Sequence, residues 1–403
     1  MTKCCRSQAP VAQRSIKYFF DLSSKELSII KNLAPLYNQI SLKKMSLLYQ
    51  LPTILLSAPN RRFNIRFYTD TLQFFNTVST FLLRYPAENN LQLGISKSMV
   101  DTPNRYALEN RFLMVIENND SIELVMIWTV GYSMTISHRS IEQEKQLRRE
   151  LLSSFVHFIL RNEFESLRIK CESYELSFSG MEEMLKNLGK VLDGVLTDDE
   201  EAQSLVHEYL HERSKIVGGP TPEQCVDCKM RTYSLVKNDV LYPKSESRFE
   251  FKILDINNDS LVSKYVHLIK IFFEQVHVRP VTEEYIRENI LLKPQQIDYN
   301  FYCCVKGDPE SSPVSVAVAV AIPNGFRITY VYTIEEFRGK GSASFLMQSM
   351  DKYLLVDKVN DRGEQLFQYL FLYADVDNPI ANAIYLKCGY KSGRDVTNLC
   401  IRY

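Results

Sequence analysis

The sequence has no net charge and no long apolar run. Its 403 residues include 48 basic and 48 acidic side chains, so no global field favours nucleic acid or an anionic membrane surface as a partner. No stretch reaches the roughly eighteen apolar residues of a membrane-spanning helix, and we expect none. Nine cysteines, an odd number in a long chain, do not fit a secreted disulfide framework and favour a reducing compartment.

Common nucleotide and hydrolase motifs are also absent. There is no G-x-G-x-x-G, no glycine pair followed by Lys-Ser or Lys-Thr, and no G-x-S-x-G. These absences argue against a dinucleotide-binding fold, a P-loop and a serine hydrolase. The length is sufficient for two or three domains, and the composition, 45% hydrophobic and 24% charged, is ordinary for a globular protein.

One stretch, from Ile328 to Leu346, has the clearest chemical meaning. It begins with β-branched and aromatic residues, which predict a strand. Gly339 and Gly341 then interrupt it, and apolar residues at helical spacing follow. The first N–H groups of a helix have no intrahelical partner, and glycine lets a ligand come close to the backbone. The pattern predicts an anion-binding turn, although an ordinary turn between a strand and a helix has the same outline.

This turn resembles motif A of the GNAT (Gcn5-related N-acetyltransferase) superfamily, whose pattern is Q/R-x-x-G-x-G/A. Here it reads RGKGSA, from Arg338 to Ala343. A second stretch, NPIANAIY from Asn378 to Tyr385, follows at the spacing of the FR47-like branch of that superfamily. The resemblance covers roughly residues 248–403 and implies that the turn holds the pyrophosphate of acetyl-coenzyme A (acetyl-CoA).

The implied fold is α/β, with two GNAT-like domains that each have a mixed central β-sheet flanked by helices. We predict the acetyl-CoA-binding domain at residues 245–403 and a degenerate copy at 45–244. In the copy, the segment from Ser133 to Glu144 has no glycine and hence no phosphate loop. Residues 1–44 contain basic but no acidic residues before Asp21, and we predict that they form a disordered extension of a cytoplasmic protein. The alternative is that they form a mitochondrial transit peptide.

The resemblance also implies which residues hold acetyl-CoA. Backbone groups at the strand end are expected to orient the thioester, while the basic residues of the turn either add charge near the phosphates or face solvent. Helix capping alone would explain Asn378 and Pro379. The implied cofactor-binding residues are Val331, Tyr332, Thr333, Arg338, Gly339, Lys340, Gly341, Ser342, Ala343, Asn378, Asn382 and Tyr385.

Acyl transfer to an amine requires an acid and a base. Tyr385 aligns with the tyrosine that protonates the departing thiolate in GNAT enzymes, although a packed helix tyrosine would look the same. An alkylamine with a pKa near 10.4 must lose a proton, at a cost of about 4–5 kcal/mol at pH 7. We predict Asp375 or Glu274 as the base. A chain of waters is the alternative, and the other carboxylates close to the motifs are Glu335, Glu336 and Asp377.

The predicted function is transfer of an acetyl group from acetyl-CoA to a primary amine by direct attack. No activated nucleophile is visible, so no covalent intermediate is expected. Small amines, amino acids, peptide N-termini and lysine side chains all remain open as acceptors. The alternative is a non-catalytic scaffold or sensor that binds coenzyme A (CoA).

Two residue pairs, His207 with His211 and Cys225 with Cys228, have spacings found in zinc sites. Their order is inverted relative to a zinc finger, and Gly-Gly-Pro lies between them. We therefore predict no metal site. The purified protein should carry no stoichiometric zinc, and a chelator should not lower its melting temperature. Elemental analysis that finds one zinc per chain would contradict this prediction.

Overall fold

Both strands and helices occur along the described chain, as the α/β prediction requires. The structure is a computed structural model that describes residues 53–58, 61–68, 70–102, 111–118, 121–129, 133–137, 151–153, 155, 194–197, 199–217, 222–276, 281–291 and 299–402. The predicted extension, 1–44, lies outside these ranges. Among the described residues, no helix combines the length and apolar character needed to cross a membrane.

Regular structure in these ranges consists of β-strands and mostly short helices. In chain order, the strands are β1 (Thr53–Ala58), β2 (Arg61–Tyr68), β3 (Arg111–Asn118), β4 (Ser121–Thr129), β5 (Met134–Ile136), β6 (Gly194–Thr197), β7 (Glu223–Val236), β8 (Phe249–Ile253), β9 (Asn300–Val305), β10 (Ser315–Ile322), β11 (Gly325–Thr333), β12 (Tyr369–Asp375) and β13 (Lys391–Arg402). The helices are α1 (Thr71–Leu82), α2 (Asn90–Asp101), α3 (Asp199–Val217), α4 (Asp259–Val276), α5 (Glu283–Ile286), α6 (Ser342–Lys352) and α7 (Pro379–Lys387). Short π-helical turns, Arg287–Leu291 and Tyr353–Asp357, follow α5 and α6.

The described residues divide into two compact units. The C-terminal unit is Cys228–Asp395, and the N-terminal unit consists of the described parts of Tyr18–Asp227 together with Val396–Tyr403. The sequence predicts a boundary at 244/245. The division lies earlier because β7, which precedes that boundary in the chain, pairs with β12 of the C-terminal unit. The end of the chain forms one long strand, β13.

The sheet of the N-terminal unit has the strand order β1-β2-β3-β4-β5-β6-β13. All neighbouring strands are antiparallel except the parallel pair β5–β6. Helices α1 and α2 cover this sheet because their apolar residues recur at helical spacing and face the alternating apolar residues of β3 and β4. The core they form contains Phe74, Val78, Phe81, Leu82, Leu93, Met99, Leu113, Val115, Val125 and Ile127.

The sheet of the C-terminal unit has the order β8-β9-β10-β11-β12-β7, antiparallel except for the parallel pair β11–β12. Both faces are buried, and alternate residues of β9 and β10 therefore belong to two different cores. Phe301 and Ala317 pack on the face covered by α6 and α7. Tyr302 and Val316 pack on the face covered by α4 and α5. The predicted fold class, a mixed sheet flanked by helices, is confirmed.

Asp351 is a buried carboxyl in the C-terminal core. It lies on α6, is 0% exposed, and accepts a hydrogen bond from the Tyr390 hydroxyl at 2.7 Å. Its second oxygen has no hydrogen-bond partner among the described residues. Burial raises the pKa of Asp351 well above its ordinary value. The fold therefore favours the neutral acid at this position.

Stability should depend on pH through Asp351. A carboxyl whose pKa is higher in the folded state stabilises the fold fully below the unfolded value, near 3.9, and loses this contribution as pH rises toward the folded value. Asp351→Asn cannot ionise and keeps an oxygen for Tyr390. The melting temperature of the variant relative to wild type should therefore rise between pH 5 and pH 8 in thermal denaturation. An equal difference at both pH values would show that Asp351 does not titrate in this range.

Candidate functional site

Strand β11 carries a bulge at Thr329. On β10, Ala319 pairs with Ile328 of β11. The preceding residue, Val318, pairs with Tyr330, so Thr329 is an extra residue without a partner on β10. Its hydroxyl donates to the Val318 carbonyl at 3.2 Å, which helps to hold the bulge in place. A bulge bends its strand and increases the local twist, so the course of β11 changes here.

The parallel pair β11–β12 opens at this bulge. The two strands pair from Gly325 to Ile328 of β11 and then separate. β11 continues to Thr333 beside β10, and β12 continues to Asp375 beside β7. Beyond the bulge, the β11 groups that face β12 have no ladder partner on that strand. The predicted cofactor-binding segment, residues 331–333, lies in this open part.

A glycine turn connects the open strand to α6. Gly339 and Gly341 have φ angles of +70° and +85°, a conformation that side chains with a Cβ disfavour. A Cβ added at either position would meet no atom within 4 Å, so the space above the turn is open. Among the described residues, no acceptor binds the N–H groups of Gly339, Gly341, Ser342, Ala343 and Ser344. With the positive end of the α6 dipole, these five N–H groups can bind an anion.

A chain of hydroxyl groups holds the turn against the sheet. Ser315 Oγ on β10 donates to Ser342 Oγ at 3.0 Å and lies 2.8 Å from Oγ1 of Thr333. Ser342 Oγ also donates to the Phe337 carbonyl at 3.2 Å. Ser315 and Ser342 are 0% and 1% exposed, so these bonds form away from water. The side chain of Ser342 thus points into the protein while its N–H remains free.

Two exposed basic residues flank the turn. Arg338 Nε donates to the Thr333 carbonyl at 3.1 Å, and its Nη2 donates to Gln275 Oε1, near the end of α4, at 3.0 Å. The guanidinium also lies 5.6 Å from the centre of the Tyr332 ring. Arg338 is therefore held beside the end of β11, and with Lys340 it places positive charge next to the anion-binding N–H groups.

The first turn of α7 fixes that helix to β12. Asn378 is the N-cap, accepting an N–H three residues on at 3.0 Å, and Pro379 follows at the first helical position, as predicted. Asn382 donates to the carbonyls of Asp375 at 2.8 Å and Asn378 at 2.7 Å. Its Oδ1 accepts the Tyr233 hydroxyl at 2.7 Å. Asn382 thus positions α7, and its contact with a cofactor stays a prediction.

Tyr385 lies on the inner face of α7 and is 9% exposed. Its ring lies between those of Tyr233 and Tyr390, at centroid distances of 5.6 and 6.1 Å. Burial raises the pKa of the Tyr385 phenol above its ordinary value, with smaller contributions from Cys388 and Tyr233, so the phenol is protonated at neutral pH. Its hydroxyl forms no hydrogen bond with any residue that the structure describes. No acceptor in the described part of the chain therefore holds its proton.

A buried cysteine brings α7 close to the glycine turn. Cys388 Sγ lies 3.8 Å from the carbonyl oxygen of Ser344, in the first turn of α6. Burial raises the pKa of Cys388 to about 12, so this thiol is a neutral packing group rather than a nucleophile. Tyr385 and Leu346 share one core. The helix that carries the phenol and the helix that starts at the turn are thus packed together.

The two predicted bases, Asp375 and Glu274, differ in burial and in their position relative to the sheet. Asp375 is half-buried at the end of β12, and burial raises the pKa of its carboxyl, although its hydrogen bond from the Asp377 N–H acts in the opposite direction. Glu274 is exposed on α4, which packs on the other face of the sheet from α7. The remaining carboxylates near the motifs, Glu335, Glu336 and Asp377, are exposed.

Sequence reasoning missed four residues that shape this site: Thr329, Ser315, Tyr233 and Gln275. Each acts through a partner distant in sequence, such as Ser315 through Ser342 or Tyr233 through Asn382. No local motif marks them. Only Thr329 had a signal, since it lies in a predicted strand just before the motif, and that signal did not distinguish a bulge from a regular strand.

In the parallel pair of the N-terminal unit, the described pairing of β5 with β6 covers Met134 and Thr135. Thr135 pairs with both β4 and β6. The Ile136 carbonyl accepts Gln92 Nε2 at 2.8 Å, and Ser137 exchanges hydrogen bonds with Val125 of β4 at 2.8 and 2.9 Å. The residues that follow, from 138 to 150, lie outside the described part of the chain.

The predicted absence of a metal site remains a prediction. His207 and His211 are exposed on α3, and the structure does not describe the side chain of Cys225. No cluster of three or more potential metal ligands occurs within the described ranges.

Comparisons with known proteins give matches for the structure alone. No family model matches the sequence, and no curated protein matches it. GNAT proteins are among the matching structures. A GCN5-related N-acetyltransferase from Sphaerobacter thermophilus is 11% identical, with a TM-score of 0.45 over 86% of this chain and 98% of that one.

Two further solved structures have similar values. A Drosophila protein is 9% identical, with a TM-score of 0.48, and covers 87% of this chain and 99% of its own. A tandem GNAT protein from the clavulanic acid biosynthesis pathway is 10% identical, with a TM-score of 0.46, and covers 84% and 98%. Because these TM-scores are below 0.5, the fold assignment rests on strand order and on the geometry of the turn.

Proposed function

We propose that the C-terminal unit is an N-acetyltransferase that uses acetyl-CoA and a primary amine. The observation that carries this proposal is a set of five N–H groups that no described residue accepts, at Gly339, Gly341, Ser342, Ala343 and Ser344. They follow a strand whose pairing with β12 has ended, and the helix that they begin packs against the helix that carries the Tyr385 phenol. Acetyl-CoA contains a diphosphate, an extended amide arm and a thioester, and the site offers one complementary feature to each of these groups.

The pyrophosphate fits the glycine turn. Its oxygens are acceptors only, and the turn supplies donors without a Cβ to block their approach. Arg338 and Lys340 are exposed and add positive charge near the phosphates. No buried hydrogen bond among the described residues fixes either side chain to the turn. The extended arm fits the open edge of β11 at residues 331–333, where it would take the place of the missing ladder partner, in the manner of strand addition.

Tyr385 is the proposed general acid. When bound, acetyl-CoA supplies an activated thioester whose departing thiolate requires a proton. The Tyr385 phenol is kept protonated by burial and has no protein acceptor in the described residues. It can therefore donate at that moment, which is the requirement for acid catalysis.

Asp375 is favoured over Glu274 as the base. A carboxyl with a raised pKa is the better proton acceptor near neutral pH, and Asp375 is half-buried at the open end of β12. Glu274 is exposed and lies on a helix that packs on the opposite face of the sheet from Tyr385. A water relay that ends at Asp375 would serve the same purpose.

Gly341→Asp should abolish tight binding of acetyl-CoA. The new carboxylate would project into open space above the turn, so the fold would bear only the strain of its φ angle, roughly 1–2 kcal/mol. Repulsion of each phosphate charge at about 4 Å would cost about 1–4 kcal/mol, which lowers affinity about fivefold to nearly a thousandfold for each charge. Isothermal titration calorimetry with acetyl-CoA measures this loss.

Gly363→Asp is the matched control. Gly363 also has a positive φ, +74°, and open space around its Cβ position, but it lies in the turn before β12. The control should bind acetyl-CoA like wild type. Wild-type affinity in Gly341→Asp, or an equal loss in both variants, would exclude the glycine turn as the phosphate site.

Tyr385→Phe should lower kcat by about 10²–10⁴ and leave KM for acetyl-CoA nearly unchanged. The ring and its packing remain, and the thioester sulfur needs no proton until it departs. The measurement is steady-state acetyl transfer to a panel of small amines, amino acids and peptides. Tyr369→Phe, at the other end of β12, is the control and should keep full activity.

Two other outcomes of this experiment are informative. Turnover that persists in Tyr385→Phe would make water the acid and remove Tyr385 from catalysis. Tight acetyl-CoA binding with no turnover of any acceptor would favour a scaffold or sensor that binds CoA.

A further inference from the structure

Three tyrosines form a row through the C-terminal core. Tyr385 is the middle member, with Tyr233 of β7 at a centroid distance of 5.6 Å and Tyr390 at 6.1 Å. All three are buried, and Tyr233 and Tyr390 are only 1% and 2% exposed. Offset and edge contacts at these distances are favourable and depend on ring orientation.

The outer two tyrosines have anchored hydroxyls. Tyr233 donates to Asn382 Oδ1 at 2.7 Å, and Tyr390 donates to Asp351 Oδ1 at 2.7 Å. Asn382 is itself bonded to the carbonyls of Asp375 and Asn378, which ties Tyr233 to β12 and to the start of α7. Only the middle tyrosine of the row lacks a hydrogen bond to the described residues. Its ring orientation must therefore come from packing against its neighbours.

We infer that Tyr233 is a positioning residue that aims the Tyr385 hydroxyl, an inference that rests on the proposed function. Tyr233 acts in two ways. Its ring packs directly on Tyr385, and its hydroxyl fixes Asn382, which sets the helix turn that carries Tyr385. Tyr390 supports the ring from the other side through Asp351.

Tyr233 precedes the glycine motif by about a hundred residues in the chain. It lies on β7, which pairs with β12 over seven positions from Met230 to Val236. Its strand neighbour Arg231 is held by Asp395 at 2.7 and 2.9 Å, so the strand stays in register when the Tyr233 hydroxyl is removed. Removal of that hydroxyl should therefore change the aim of Tyr385 without displacing β7.

A double-mutant cycle tests this inference. Tyr233→Phe should lower kcat about 10- to 100-fold, the usual result of a small misalignment, and leave KM for acetyl-CoA unchanged. In a Tyr385→Phe background, the same change should have no further effect on kcat, because the hydroxyl that it aims is already absent. Tyr390→Phe should show the same non-additivity and provides a second variant if Tyr233→Phe folds poorly.

Tyr265→Phe is the matched control. Tyr265 is also fully buried and loses one hydrogen bond, to the Ala317 carbonyl at 2.9 Å, but it belongs to the core on the other face of the sheet. It should lower the melting temperature about as much as Tyr233→Phe and leave kcat unchanged. An equal fall of kcat in Tyr265→Phe, or a Tyr233→Phe effect that persists in the Tyr385→Phe background, would overturn the inference.

A second measurement does not depend on turnover. With 3-fluorotyrosine in place of Tyr385, the fluorine NMR spectrum should shift or broaden when Tyr233→Phe is added, because the ring gains a second orientation. Addition of Tyr265→Phe should leave the spectrum unchanged. An unaltered spectrum with Tyr233→Phe would overturn the positioning role. A wild-type protein that acetylates no acceptor would instead contradict the proposed function, and the spectra would still decide the role of Tyr233.

Discussion

One extra residue in β11 determines the layout of the site. If β11 matched β10 residue for residue, it would continue straight beside β12, and the ladder would close over residues 329–333. The bulge at Thr329 bends the strand at the position where pairing with β12 ends, so both changes have one cause. The open edge, the direction of the glycine turn and the start of α6 all follow from this bend. The buried Ser315–Ser342 hydrogen bond then keeps the turn against the sheet.

Strand β7, which pairs with the edge of β12 opposite β11, precedes the glycine motif by about a hundred residues in the chain. Without β7, strand β12 would have β11 as its only neighbour, and that pairing ends at Ile328. Residues beyond Leu372 of β12 would then form an unpaired edge, which favours misassembly. β7 pairs with these residues and also carries Tyr233. The part of the chain before the predicted boundary at 244/245 therefore supplies one strand and one side chain to the C-terminal unit.

Local sequence signals predicted the parts of the site that depend on local chemistry. Gly339 and Gly341 have the positive φ angles that the motif required, and Asn378 and Pro379 cap α7. The bulge could not be predicted from local sequence, because it depends on how two strands pair. Thr329 is compatible with either a regular strand or a bulge. The partners of Asn382 were unpredictable for the same reason. Its poor helix propensity was visible in the sequence, whereas the tyrosine 149 residues away that explains it was not.

The two parallel pairs differ in what binds at the end of the first strand. In the N-terminal unit, β5 is three residues long, and its central residue, Thr135, pairs on both sides. Gln92 then occupies the Ile136 carbonyl, and Ser137 continues the pairing with β4. A glycine introduced after this strand would give a turn its conformational freedom, but the Ile136 carbonyl would stay bound to the Gln92 side chain. Donors at a turn bind only one end of a long ligand, and an extended arm that lies along a strand needs free backbone groups there. Binding of such a ligand at the end of β5 would therefore require both a turn of this kind and release of the Gln92 hydrogen bond.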